Sequence, residues 1–369
     1  MNKAHFYHGS LNRPVVDDVE LVAIFGSKAY SDDVAPPQYA AWAEQIGLMS
    51  FLADKGSSSI AGIVDGTDLT ENGADALIGV LASMALVLRR TDRVSLSLLA
   101  SEYLVPGKQF YMGDSFYLTC KKPLPAFLVK KDKRTGKPVK LASGAKVKRE
   151  PRNLLVRKIS QALKRLRGWD WGGHKIFINQ HSRNLPVSVA ASRLDLFKDA
   201  SCVVDMAGGS GTFAIPLAQL YPDLRIILTD LPQALPEAQQ YLEDYKVQNQ
   251  VELIGMDVFS EIWPVPVCDV IFFGNLAHGF DHDKCLHLAK MSKGKLQTGG
   301  KVVFHELVWN GNKDGPLKTA LWNVTMREFG GQQRTVSELQ EFLQKAGFEQ
   351  LFAIPTSGGF VAVGGCKPD

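Results

Sequence analysis

The chain has 369 residues, enough for two domains, and its 45% hydrophobic and 22% charged content excludes wholesale disorder. No run approaches the roughly 18 uninterrupted apolar residues of a membrane span, and the start, MNKAHFYHGSLNRPVVDD, has no signal-type apolar core, so no membrane and a cytoplasmic location are expected. The net charge of +4 hides an asymmetry: residues 121–167 carry 17 Lys/Arg against two acids, Asp132 and Glu150, leaving 25 basic and 36 acidic residues elsewhere. The five cysteines (Cys120, Cys202, Cys268, Cys285, Cys366) form no CxxC pair, which fits reduced, mostly buried thiols better than a disulfide framework or a structural zinc site.

In chain order, YAAWAEQIGLMSFLA repeats apolar residues at three- and four-residue spacing, the pattern of an amphipathic helix. LTENGADALIGVLASMALVLRR sets Thr70 and Glu71 at a helix start, ahead of an apolar stripe through Leu77, Leu81, Met84 and Leu86. RVSLSLLASEYLVPG reads as a short strand, a helical turn and a Pro-Gly stop. Helix, helix, strand and turn in this order predict a winged-helix unit over residues 1–120. Such units bind DNA in regulators and dimerise enzymes, and the fold alone does not choose between these. The basic 121–167 segment reads as an inserted, solvated loop or hairpin with a linker helix. It could also steer an anionic partner, although it lacks the interleaved aromatics that stack nucleic-acid bases.

From 168 to 369 short apolar runs (CVVDMAGG, LRIILTD, VELIGMD, CDVIFFGN, KVVFHEL) alternate with helical patterns, which predicts a Rossmann-like doubly wound α/β sheet. FEQLFAIPTSGGFVAVGGCK ends it as an antiparallel hairpin. The turn Gly208-Gly209-Ser210-Gly211 closes the first of these strands, where glycines let the backbone approach a ligand at the strand-end crevice. Asp230 ends the second strand, where its carboxylate can accept ribose hydroxyls. Asp257 ends the third, beside Met256, a soft apolar residue suited to an adenine face. Each Asp could equally be a cap or turn residue. The turn is GGSG rather than GxGxxG, and Asp205 lies just upstream. An acid there repels a pyrophosphate but suits the cationic amino-acid end of S-adenosylmethionine, which favours that cofactor over NAD.

These blocks resemble the class I S-adenosylmethionine-dependent O-methyltransferases of the caffeate and hydroxyindole type, with many bacterial natural-product members. VVDMAGGSGTFAIPLAQLYPDLRIILTDLP is similar to the family's DVGGGxG…DLP block, GMDVF to GDMF, HGFDHDKC to HDWxDxxC, and GGQQRTVSELQEFLQKAGF to GGxERTxxEFxxLxxxAGF. The likeness spans roughly 15–120 and 168–369 and leaves the basic segment as an insertion. It implies an N-terminal winged-helix dimerisation module, a homodimer, a small-molecule methyl acceptor rather than nucleic acid, and S-adenosylhomocysteine as product. It adds Leu231, Val258, Phe259, Asn275 and Phe280 to the cofactor contacts, with Phe280 in place of the block's tryptophan over the adenine.

Methyl transfer from a sulfonium mainly requires that the nucleophile be positioned and deprotonated. The resemblance implies His278 as that base and Glu306, ending the strand VVFHE, as the carboxylate that orients it. The family's second glutamate is Gln333 here, which can hydrogen-bond an imidazole but not offset its charge, and the lysine that plant members place four residues before the histidine is Gly274. FINQH resembles a substrate-pocket helix and implies Phe177 and His181 as pocket residues. LWNVTMREFGG implies Trp322, Asn323, Met326 and Arg327 as pocket walls. Arg327 could face a substrate carboxylate or lie on a helix surface. Two readings therefore accompany O-methylation of a small hydroxylated metabolite: S- or C-methylation of a carboxylate-bearing substrate, and a DNA-binding regulator that senses a metabolite. His278 and His282 have no third ligand at metal spacing, so no metal is expected.

Overall fold

The structure is a computed structural model that describes residues 36–108, 123–143, 146–147, 181, 184–185 and 187–369. Phe177, Cys120 and the greater part of 144–167 lie outside the described residues. The chain divides into a helical unit, 27–154 with Trp309–Thr335, and a sheet unit, 1–26 with 155–308 and 336–369.

In the helical unit α1 (Pro36–Gln45) and α2 (Leu48–Lys55) lead into β1 (Ser58–Ser59), α3 (Ile60–Gly66), α4 (Glu71–Ser83), β2 (Val87–Arg90), β3 (Arg93–Leu96) and α5 (Leu98–Tyr103). The strands pair antiparallel in the order β1-β3-β2, the wing of a winged helix. Ser59 and Thr70 cap α3 and α4 by accepting from the Gly62 and Gly73 amides at 3.0 and 2.9 Å. Nearly every side of α4 from Gly73 to Ala82 is buried, which a single amphipathic stripe does not require. The cover comes from far along the chain. Trp309 and, on α9 (Leu317–Phe329), Ala320, Leu321 and Val324 join the same core as α1, α2 and α4. A Cβ on Gly79 of α4 would meet Trp309 Cη2 at 2.8 Å, so the backbone itself is the contact surface there.

Two expectations change at this level. Boundaries expected at 120 and 167 differ from the observed division, because 123–143 and Trp309–Thr335 cluster with the N-terminal helices. The described part of the basic segment is also no freely solvated excursion. Thr70 donates to the Leu128 and Phe127 carbonyls through its amide and hydroxyl at 2.9 and 2.6 Å, Leu124, Leu128, Val129 and Leu141 enter the core, and Lys130 Nζ donates to the Val64 and Thr67 carbonyls. A tight turn held by Asp132, which accepts from the Arg134 and Thr135 amides, carries the exposed lysines. Most apolar residues of α1 and α2 are buried within this single chain: Trp42, Leu48, Met49 and Leu52 are all nearly inaccessible.

The sheet unit carries β4 (Cys202–Met206), α6 (Ala214–Leu220), β5 (Arg225–Asp230), α7 (Leu235–Asp244), β6 (Val251–Gly255), β7 (Cys268–Gly274), α8 (His282–Lys295), β8 (Leu296–Leu307), α10 (Val336–Lys345), β9 (Glu349–Pro355) and β10 (Phe360–Cys366). The strand order is β6-β5-β4-β7-β8-β10-β9, with the first five parallel and the last two antiparallel. This is the doubly wound sheet with a terminal hairpin expected from the alternation. Two apolar cores are built chiefly on its strands, one with Val204, Ile271 and Phe304 and the other with Val203, Ile226 and Phe272. The order in which strands are laid down reverses between β4–β5–β6 and β4–β7–β8, so the loops after these strands open one crevice at a topological switch point. No described helix is long and apolar enough to cross a membrane.

Candidate active site

The crevice begins with the turn after β4. Ala207, Gly209 and Gly211 have φ of 54, 57 and 76°, a left-handed run that is costly for alanine and easy for glycine. Gly208 is required for a different reason: a Cβ there would lie 2.5 Å from Asp205 Oδ2 and 2.8 Å from Leu228 Cγ. Hydrogen bonds fix the turn to β5. The Gly208 amide donates to the Thr229 carbonyl at 3.0 Å, and the Gly209 amide donates to Asp230 Oδ2 at 2.8 Å.

Asp205 is packed under this turn at 1% exposure rather than projecting from it. Its carboxyl accepts from the Ala214 amide, while Oδ2 has no hydrogen-bond partner among the described atoms. Burial, then the nearby Asp230 carboxylate, push its pKa up to about 7. Asp230 also holds the Leu231 amide through Oδ1 at 2.7 Å. Burial raises its pKa, against the lowering effect of the Leu231 and Gly209 amides. Each of its oxygens retains a further lone pair for a ligand hydroxyl. Asp257 is exposed at the next strand end and accepts from the Phe259 amide at 2.9 Å. Its neighbours Met256 and Val258 are both buried in the sheet core, Met256 at 6% exposure, so Met256 offers a ligand little surface. Phe259 and Phe280 meet edge to face at 4.8 Å, and Lys284 Nζ lies 5.9 Å from each ring.

After β7 the backbone turns through Asn275, at φ 54°, a residue that tolerates this region. Its amide donates to the His305 carbonyl at 3.0 Å, tying the turn to β8. A single 3-10 turn, Ala277–Gly279, then presents His278. Its Nδ1 lies 2.8 Å from Glu306 Oε2, with the two side chains 12% and 3% exposed. Glu306 Oε1 accepts from the Ala277 amide at 2.6 Å. Both carboxylate oxygens therefore act as acceptors, and the imidazole proton they select is on Nδ1. The basic lone pair of the neutral ring is then on Nε2. Neighbouring His305 is fully buried, and burial lowers its pKa to about 4. Thr356 Oγ1 lies within hydrogen-bond range of both the Phe360 carbonyl, at 3.1 Å, and His305 Nε2, at 2.8 Å, which fits a structural role for this histidine.

The structure thus gathers Asp205, the 208–211 turn, Asp230, Leu231, Met256 to Phe259, Asn275, His278, Phe280 and Glu306 at the strand ends of the sheet unit. Gln333, Trp322, Asn323, Met326 and Arg327 belong to the helical unit. There Asn323 is fully buried and its Oδ1 accepts from the Gln333 amide at 2.8 Å. Arg327 corrects an expectation. Its guanidinium is bound by Asp75 at 2.7 and 3.2 Å and by Asn72 at 3.2 Å, so its charge is engaged within the unit instead of facing a substrate carboxylate. His181 is not a surface histidine either: it is 4% exposed and 2.9 Å from Ser210 Oγ of the glycine turn. Two contributions escaped sequence reading, the Ala277 amide on Glu306 and the approach of His181 to Ser210. Both join groups 29 residues apart, and no local pattern encodes them.

Residues 177–349 match the family model of an O-methyltransferase domain. The 3-hydroxy-5-methyl-1-naphthoate 3-O-methyltransferase of Streptomyces sahachiroi is 24% identical over 295 residues, 78% of this chain and 80% of that protein. Human acetylserotonin O-methyltransferase is 28% identical over 148 residues, covering 40% of this chain and 42% of that enzyme. Among solved structures, an O-methyltransferase family 2 protein from Planctomyces limnophilus DSM 3776, in complex with apigenin, superposes with a TM-score of 0.70 at 21% identity, covering 96% of this chain and 97% of that one. An O-methyltransferase family protein from Burkholderia thailandensis gives 0.50 at 16% identity, covering 96% and 99%. These two structural likenesses concern the fold, while the family model runs through the strand ends just described: residues 177–349 form an O-methyltransferase domain.

Proposed function

We propose that the protein methylates a hydroxyl of a small metabolite with His278 as general base. The observation that carries this reading is the His278–Glu306 pair: Nδ1 is held at 2.8 Å by a carboxylate that the Ala277 amide itself fixes, which puts the basic lone pair of the neutral ring on Nε2. S-adenosylmethionine supplies a methyl group on a sulfonium that leaves readily. The residues present fit it. The 208–211 turn leaves backbone where side chains would block a ligand, Asp230 has acceptor capacity for the ribose hydroxyls, Asp257 is exposed at the neighbouring strand end, and the Phe259–Phe280 pair offers an apolar edge. Asp205 supports the turn from beneath; its buried position argues against direct contact with the donor's ammonium.

Oxygen is favoured over sulfur or carbon as the acceptor atom. The Streptomyces relative is by its name an O-methyltransferase of a hydroxynaphthoate, and the argument for a carboxylate partner on Arg327 is lost to Asp75. Incubation with labelled methyl donor and a panel of phenols, thiols and 2-oxoacids, read by mass spectrometry, tests it. Label in a phenolic ether supports the reading; label confined to thiols or to carbon overturns the choice of oxygen. The roles given above to Trp322, Asn323 and Met326 as acceptor walls, and to Gln333 beside the imidazole, rest on the motif resemblance, as does the homodimer. With most apolar residues of α1 and α2 buried within one chain, the dimer rests on that resemblance alone. Light scattering at micromolar concentration should report twice the chain mass, and a monomer would refute it.

A further inference from the structure

The glycine turn holds few side chains by which it could be kept in shape. Three of its four residues are glycines, and three left-handed backbone positions fall within Ala207–Gly211. A conformation of this kind persists only where surrounding contacts fix it. Asp230 and the Thr229 carbonyl hold Gly209 and Gly208 from β5. On the other side the contact is His181. Its Nδ1 is 2.9 Å from Ser210 Oγ, and both residues are buried, at 4% and 5% exposure. The ring also stacks on Tyr241 of α7, with centroids 3.7 Å apart and planes 6° from parallel, and its centroid lies 5.7 Å from that of the tilted Tyr245 ring. The imidazole is thus clamped against α7 and reaches the one side chain by which the turn can be gripped.

We propose that His181 is a positioning residue for the methyl donor: by holding Ser210 it keeps the 208–211 turn in the shape that receives the donor's amino-acid end. This rests on the function proposed above, in which the turn receives the donor and Asp230 its ribose hydroxyls, and it assigns the amino-acid end to the turn. It also moves His181 from the acceptor pocket, where the motif resemblance put it, to the donor side of the crevice. An unclamped turn must order itself on binding, and that cost appears as lost affinity.

The test is calorimetric titration with two probes, S-adenosylhomocysteine and 5′-methylthioadenosine, which shares the adenosyl part but lacks the amino-acid end. His181→Phe keeps a ring on Tyr241 and loses the hydrogen bond. It should weaken S-adenosylhomocysteine by about three- to tenfold, the worth of one such bond, and leave 5′-methylthioadenosine unchanged. His181→Asn, whose amide places a polar atom near the Nδ1 position, should recover most of the loss. Ser210→Ala should reproduce the His181→Phe effect and add nothing to it in the double variant, which also serves if His181→Phe folds poorly. Unchanged affinity for S-adenosylhomocysteine, or equal weakening of both probes, would overturn the assignment. A wild-type protein that binds neither probe would sink the methyltransferase reading instead, so the two failures are distinguishable.

Discussion

Glu306 uses its two oxygens on two different donors, and this makes the His278 dyad more sensitive to substitution than a lone histidine. If His278 takes the acceptor's proton, His278→Ala should lower the methyl-transfer rate by about 10²–10⁴-fold. S-adenosylhomocysteine affinity should remain within about twofold in calorimetry, because donor and base are held by different loops. Glu306→Gln should cost almost as much. The Ala277 amide claims the single amide oxygen, so the NH₂ group faces Nδ1 and drives the imidazole proton onto Nε2, the wrong tautomer for a base. Near wild-type turnover in Glu306→Gln would show that Glu306 is a structural cap. Asp205 supplies a second prediction at this scale, concerning stability. Its folded-state pKa, about 7, lies above the ordinary carboxyl value of 3.8. The folded state therefore binds the extra proton, and stability falls as pH rises through that window, by at most about 1.4 kcal/mol per pH unit. Asp205→Asn removes this loss, so its melting temperature relative to wild type should climb from pH 5 to about pH 7 and level off by pH 8. A constant difference across that range would mean that Asp205 is ionised throughout. His305, whose pKa is depressed to about 4, acts with the opposite sign: its stabilisation is complete above about pH 6.5 and is lost as pH falls toward 4. Both proteins carry His305, so its contribution cancels from the comparison.

Among the elements, those whose cause is local were legible in the sequence. Thr70 before Glu71 marks the start of α4, and the β-branched runs from Cys202 to Leu307 become the parallel strands. The glycine turn and the strand-end acids fall where the pattern put them because side-chain period and turn chemistry act over a few residues. What could not be read was any pairing between distant segments. Arg327 is the clearest case: its neighbours in sequence suggest a pocket wall, whereas its partners, Asn72 and Asp75, lie some 250 residues away on α4. Asp75 also binds Arg89 of β2 at 3.1 Å, and Arg89 Nη1 is buried without a partner among the described atoms. Burial opposes ionisation of Asp75, but the two guanidiniums outweigh it and hold its pKa below the ordinary carboxyl value. One carboxylate thus serves two largely buried cations, and the consequences of deletion are unequal. Asp75→Ala strands both arginines and should destabilise by about 3–5 kcal/mol. Arg327→Ala leaves the Arg89–Asp75 pair and should cost about 1 kcal/mol. Urea melts of both variants check this, and equal losses would indicate that Arg327, not Asp75, is the centre of the cluster.

At the scale of the whole molecule, the helical unit is assembled from two stretches of chain separated by most of the sheet. Trp309 and Thr335 pair as neighbours through a parallel bridge, and the Trp309 amide donates to the Arg334 carbonyl at 2.9 Å. The 309–335 excursion therefore begins and ends at one place. Between those ends α9 closes on Gly330, at φ 89°, and Asn323 ties the helix to Gln333. The buried hydrophobic residues of this excursion, Trp309, Ala320, Leu321 and Val324, lie in the core of the N-terminal helices. A boundary read from composition alone severs that core. Loss of a buried tryptophan costs about 3–5 kcal/mol and of each aliphatic somewhat less, which together match the stability of an ordinary domain, about 5–15 kcal/mol. A fragment of residues 27–154 should therefore lack a cooperative thermal transition by circular dichroism, and a peptide of residues 309–335 added in trans should restore one. The substitution Gly79→Leu in the fragment should abolish that rescue, since Trp309 packs directly on the Gly79 backbone. A fragment that melts cooperatively alone would mean that the N-terminal winged helix is self-sufficient and that α9 is a passenger on it.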